Sequence, residues 1–325
     1  MTCAFEIVDP GFQTLLQDLG RAGCNQLGIT SGGPMDLESF ELANRLCNNH
    51  ISKASLEICI GGICLVSKSE TVIAFTGANM PLKINGTPAE QWRSHRIVAG
   101  TCIEISHAVD GVYGYLAVAG GFEAEPVYGS VSCVMREHLG GHKQDGSALQ
   151  SGDQLFCSPQ HSASRLLYLP EAFRPKRPKR EVPLRVILGC QHDDFDSIQK
   201  RIFFTSKYHV SQHTNRMGYR LTGPKIASKI SDLLSEGTSL GAIQVPRDGQ
   251  PIILMRDRQT MGGYPKLGSL FSLDVDKLSQ LAQGSIITFE PISVEEAHNA
   301  LLLEVLKRRN RKLSYIDLIK RKQVS

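Results

Sequence analysis

"AIQVPRDGQPIILM", residues 242–255, sets two β-prone runs on either side of Arg247-Asp248-Gly249-Gln250. An Asp-Gly pair favours a tight hairpin turn, because glycine accepts the positive φ that such a turn needs. The second run, "PIILM", is apolar at successive positions and therefore on both faces of the pleat, which predicts a buried strand. The next segment, "MRDRQTMGGYPKLGS" (255–269), then hangs as a polar loop from a rigid support.

Working outward, "PLRVILG" reads as a strand, and a last helix is predicted from Ser293, where Glu296 completes a capping box, into a basic tail. Four prolines in "PEAFRPKRPKREVP" (170–183) rule out a helix or a central strand and mark an interdomain linker. The predicted organisation is residues 1–169, a β-rich domain; 170–183, the linker; 184–300, a second domain; and 301–325, a basic helix and tail. In the first domain short apolar runs such as "TVIAFTGANM" and "PLKINGTPAE" are closed by turns, and Asn85-Gly86 is a hairpin signal. One helix interrupts them. Leu37, Phe40, Ala43 and Leu46 form its apolar stripe, Asp36 caps it and Glu38 complements its dipole. The fold class is mainly β with α, α+β.

The chain has 325 residues, enough for two cores. Its apolar content is 41%, and no apolar run approaches the about 18 residues of a membrane span. "MTCAFEIVDPG" lacks the basic start and apolar core of an export signal, which predicts a cytoplasmic protein. Nine cysteines without a C-x-x-C pair read as reduced thiols. Net charge is +4, of which residues 171–181 contribute +3 and 307–325 contribute +7, so subtracting these ten leaves −6 elsewhere. That balance argues against a nucleic-acid face.

In the loop, Gly263 and Gly268 have P-loop spacing, but no lysine follows Gly268, so no nucleotide site is predicted. Arg258 could fork onto a carboxylate, Gln259 and Thr260 could hydrogen-bond an amide, and Gly262-Gly263 would let backbone approach closely. A structural turn in which Arg256 pairs with Asp257 or another carboxylate is the equal alternative. "GITSGGPMD" (28–36) brings Ser31, Gly32 and Gly33 to the start of the Asp36 helix, either an anion or carbonyl site or simply a capped turn. His209 and His213 are four apart but in a probable strand, His138 and His142 straddle Gly140-Gly141, and no ligand completes either pair, so no metal site is predicted. Ser130 and Ser132 in "GSVSC" lack a nucleophile elbow, and Cys190 beside His192 is a poor catalytic couple.

Seven motifs in order, "TLLQDLGRAG", "GGPMD" followed by "ANRL", "LEICIGG", "YLAVAGG", "NRMGYRL", "GAIQVPRDGQPI" and "DRQTMGGYP", resemble the family of the C subunit of 5-oxoprolinase, also called biotin-dependent carboxyltransferase or allophanate hydrolase subunit 2. The family usually has proline at the positions of Ala22 and Cys190 and threonine at that of Cys133. The resemblance implies two cyclophilin-like β-barrel domains and action with B and A subunits of 5-oxoprolinase in ATP-dependent opening of 5-oxoproline to glutamate. Fused relatives form the carboxyltransferase part of urea carboxylase, and a regulatory member would sequester a kinase inhibitor that resembles the B subunit. The chain has no Met-Lys-Met, so biotin would arrive on another protein, and ATP is expected to be bound by or with a partner. On this view Arg258, Gln259, Thr260 and Asp36 are the candidate catalytic residues. Ser31, Gly32, Gly33, Gln244, Gly262, Gly263 and Tyr264 are the candidate substrate contacts. Arg258 would hold a carboxylate, Gln259 and Thr260 would orient the lactam, and the Gly32 and Gly33 N–H groups would bind an oxyanion.

Overall fold

The computed structural model describes residues 2–157, 165–176, 181–230 and 233–316, with side chains from Phe5 onward. The chain divides into two compact units: residues 1–21, 32–176 and 311–325 form the first, and 22–31 and 177–310 the second. No helix among the described residues is long and apolar enough to cross a membrane.

The first unit is built from a seven-stranded and a five-stranded antiparallel sheet. Alternating strands send Phe5, Ile7, Leu65 and Ile103 from the larger sheet and Leu56, Ile58, Phe75 and Leu116 from the smaller into one shared core. The Asn85-Gly86 turn forms as its sequence predicts: both residues take positive φ, 50° and 74°, between Leu82–Ile84 and Thr87–Ala89. Helix α1, Leu37–Leu46, buries Phe40, Leu42, Ala43 and Leu46. The N–H of Ser39 donates to Asp36 Oδ1 at 3.0 Å, and its hydroxyl donates to Oδ2 at 2.6 Å. Near the end of the chain, Ser314–Ile316 pairs antiparallel with Leu166–Tyr168, a strand hidden in sequence within a basic run.

The second unit contains a closed barrel of seven strands. The opening hairpin is part of its wall: Ala242–Gln244 pairs with Ile252–Leu254, and Gly249 turns between them at φ 78°. Ile253, Leu254 and Met255 are buried, as the apolar run predicts. Closure comes from the parallel pairing of Glu181–Leu188 with Ile286–Pro291, which leaves the barrel without an open edge. This pairing revises the linker at its end, since Pro183 lies inside a strand. The antiparallel neighbour Lys266–Leu270 meets this strand only at Val186–Leu188, so no second ladder needs the N–H that proline lacks. Of the remaining linker, Glu171–Phe173 is a 3-10 turn, and residues 177–180 lie outside the described residues. Three helices follow the chain: α2, Ser197–Thr205; α3, Ser272–Ser279; and α4, Val294–Asn310. The capping box forms at α4, where Ser293 N–H donates to Glu296 Oε2 at 2.9 Å and Glu296 N–H to Ser293 Oγ at 3.1 Å.

Candidate functional site

The loop after Ile252–Leu254 is rooted by a buried ion pair that joins residues far apart in sequence. Arg216 donates through Nε and Nη2 to the two oxygens of Asp257, each at 2.8 Å, and its carbonyl accepts the Asp257 N–H at 2.8 Å. This corrects one expectation: the partner of Asp257 is Arg216, not Arg256, whose Nε is buried without a hydrogen-bond partner among the described residues. A bidentate fork of this kind fixes direction as well as charge.

Arg258 stands next to this fork in a different condition. Its side chain is 8% exposed, and its guanidinium reaches only two backbone carbonyls, Thr238 O at 3.5 Å and Met255 O at 3.4 Å. Among the described residues no carboxylate lies within ion-pair distance of it. Burial lowers its pKa, the positive charge of Arg256 lowers it further, and Asp257 opposes both. An arginine nevertheless stays protonated. The cluster therefore holds a fixed buried cation.

Thr238 gathers the next residues around that cation. Its hydroxyl donates to Gln259 O and its N–H to Thr260 O at 2.9 Å, while Glu236–Gly237 pairs with Met261–Gly262. Gln244, 1% exposed on the barrel strand, brings its amide under the same loop: a Cβ on Gly262 would lie 2.7 Å from Gln244 Nε2 and 3.5 Å from Gln259 Nε2. Gln244 Nε2 has no hydrogen-bond partner among the described residues. A Cβ on Gly263 would come within 2.8 Å of Leu233 O. Close approach is what requires these two glycines. Tyr264 ends the loop at the surface, 43% exposed. Segment 22–31 also belongs to this unit: Thr30 Oγ1 donates to Arg258 O at 3.1 Å and Ser31 Oγ to Asn25 Oδ1 at 2.9 Å. The chemistry on offer is a cation flanked by amide donors, which suits an anionic ligand that also carries a carbonyl.

In the first unit, Gly32 and Gly33 turn at φ 66° and 95° into the Asp36 cap. A Cβ on Gly32 would meet Val134 Cγ2 at 3.0 Å, and one on Gly33 would meet Leu19 O at 3.1 Å. A carboxylate of the chain itself lies just before this helix start. Glu57 Oε2 accepts the Met35 N–H at 2.7 Å and the Tyr115 hydroxyl at 2.8 Å, and that hydroxyl accepts the Asp36 N–H at 2.8 Å. Burial raises the Tyr115 pKa well above its ordinary value, and the charges of Glu57 and Asp36 add to the shift. The Ser130 and Ser132 hydroxyls both donate to Asp18 and are buried, so they act as turn scaffold. Cys190 is exposed, and the neighbouring His192 Nδ1 lies 3.2 Å from Asp193.

The structure thus brings together Gln244, Arg258, Gln259, Thr260, Gly262, Gly263 and Tyr264 in the second unit, and Gly32, Gly33 and Asp36 in a turn of the first. Sequence reasoning missed Arg216, Thr238 and Glu57. Only Glu57 carried a signal, as a lone charge inside the apolar strand "SLEIC".

Residues 27–291 match the family described as carboxyltransferase domain, subdomain A and B. The chain is 32% identical to the C subunit of 5-oxoprolinase from Haemophilus influenzae over 97% of each chain. To the protein of the same name from Escherichia coli it is 34% identical, over 91% of this chain and 93% of the relative. The crystal structure of Kluyveromyces lactis urea carboxylase superposes with a TM-score of 0.88 at 29% identity, covering 95% of this chain and 29% of that one. The chain therefore spans less than a third of that enzyme.

Proposed function

The chain belongs to the family of the carboxyltransferase domain, subdomain A and B, and from that premise we propose that it is the C subunit of an ATP-dependent 5-oxoprolinase, working with B and A subunits on the lactam of 5-oxoproline. Two near-full-length relatives are named as the C subunit of 5-oxoprolinase, which supports this reading. The observation that carries it is the buried Arg258, without a carboxylate partner among the described residues, in the loop whose Gly262 lies against the unpartnered Gln244 Nε2. 5-Oxoproline carries both groups that such a pair selects, a carboxylate and a lactam carbonyl. Arg258 holds the carboxylate; Gln244 and Gln259 orient the ring by its amide. Ring opening adds water across the lactam C–N bond, releasing the amino group and a second carboxylate of glutamate. Donors held in place before reaction lower the barrier because they need no reorganisation.

ATP does not fit the one glycine-spaced segment of this loop. Gly268 lies within the strand Lys266–Leu270, and a Cβ on it would fall 2.3 Å from Ile187 O, so the glycine serves strand packing and opens no phosphate cradle. On this proposal ATP is bound by a partner or together with one.

The test measures glutamate release with ATP for the chain alone and for each combination with B and A subunits. Only the full combination should turn over; robust turnover by the lone chain would overturn the reading. Within the complex, Arg258→Lys keeps the charge and loses the fork, and should lower kcat/KM about ten- to a hundredfold, roughly 1.5–3 kcal/mol, with the thermal melt unchanged. The likeness to the urea carboxylase structure favours one second reading, transfer of a carboxyl group from an external biotin carrier to urea or another small amide. Carboxylation of urea by the chain at the expense of a carrier whose biotin is already carboxylated, and no glutamate release, would select it.

A further inference from the structure

Helix α4 is inside out. Ala297 is buried and Ala300, Glu304 and Arg308 are half-buried, so this stripe is the docked face, with Arg308 3.4 Å from Glu304 and 3.5 Å from Asp276. The opposite face carries the apolar side chains. Val294, Leu301, Leu302, Leu303, Val305 and Leu306 are all exposed, Leu302 by 52% and Leu306 by 53%. At about 100° per residue they fall within one arc centred near Leu302, which is the pattern of a helix that packs on another helix.

Charge placement selects the occupant. Glu295 lies seven residues before Leu302 and Arg309 seven after, so each is about two turns away on the same face. Neither makes an ion pair or hydrogen bond among the described residues. Such a face is complementary to itself when turned end for end. Two antiparallel copies related by a two-fold axis at Leu302 set Glu295 of each beside Arg309 of the other, whereas a parallel pairing would set like charges together. We infer that α4 is a homodimerisation face that pairs antiparallel with α4 of a second copy. A standard stable interface buries about 800 Å² per partner. One helical stripe supplies less, so the dimer should depend on concentration, with a dissociation constant on the order of micromolar.

Sedimentation velocity of the full chain from about 1 to 100 μM should show a monomer–dimer equilibrium. Glu295→Arg and Arg309→Glu, each at an exposed site that leaves the circular dichroism spectrum unchanged, should each weaken dimerisation about tenfold or more. Mixing the two variants should restore a heterodimer, because every facing pair is then opposite in charge, and the double exchange within one chain should restore the homodimer. Leu302→Glu should leave a monomer. A wild-type chain that stays monomeric at the highest concentration overturns the inference, and so does a dimer indifferent to both charge reversals.

Discussion

The turn from Gly32 to Asp36 and the loop from Arg256 to Tyr264 look alike in sequence, each a glycine pair within a few residues of a charged side chain. They differ in how those charges are met. In the turn, Asp36 receives the Ser39 N–H and hydroxyl, and Glu57 receives the Met35 N–H and the Tyr115 hydroxyl. In the loop, Asp257 is committed to Arg216, and Arg258 is left with two long contacts to carbonyls. Burying a charge without its counter-charge is costly, and a chain that only needed a turn would gain by replacing Arg258. A glycine turn whose charges are all answered from within needs no ligand to balance them. One that keeps a buried cation unanswered is suited to hold an anion.

Stability measurements can break that contrast. The largest effect is expected at the root of the loop: Arg216→Met strands Asp257 and should lower unfolding free energy by about 3–5 kcal/mol in urea titration. A loss below about 1 kcal/mol would mean that the fork anchors nothing. Next comes the turn. Glu57→Ala leaves two buried donors without their acceptor and should cost about 2–4 kcal/mol, read in the same titration. An unchanged midpoint would remove Glu57 from the scaffold.

Asp36 separates capping from chemistry. Asp36→Ala should cost about 1 kcal/mol, whereas Asp36→Ser restores a cap and most of that loss. If glutamate release by the full complex follows stability in both variants, Asp36 acts as a cap. Activity lost in Asp36→Ser at full stability would instead make it catalytic, as the sequence expectation has it. The smallest stability effect is expected at Arg258: Arg258→Met should stay within about 0.5 kcal/mol of the parent or rise above it, while activity falls. A destabilisation comparable to that of Arg216→Met would make both arginines scaffold and erase the contrast between loop and turn.

What was legible in the sequence is what local chemistry determines. The Asp248-Gly249 hairpin, the Asn85-Gly86 turn, the Asp36 cap and the Ser293/Glu296 box each lie within a few residues, and each formed. Arg258, Gln259 and the Gly262-Gly263 pair could be singled out because a donor-rich glycine loop after a buried strand is itself a local pattern. The partners were not legible, because tertiary folding chooses them. Arg216 and Asp257 are 41 residues apart, and Thr30 and the Arg258 carbonyl 228. Pro183 misled for a related reason: proline excludes a strand only where a neighbour needs its N–H, and the staggered pairing of the barrel leaves that side free of a ladder. Ser314–Ile316 is three residues long, too short for periodicity to announce.

Segment 22–31 belongs to the second unit although its flanks belong to the first, and residues 311–316 return to the first after the second is complete. In genetic terms neither unit is a cassette. A single recombination junction in the codons for 170–183 would separate Thr30 from the carbonyl it donates to, and Ser314–Ile316 from the strand it extends. Neither half could then be transferred intact to another gene. Inheritance of such a chain is expected to be all or nothing, by fusion at its ends and not by exchange at its middle.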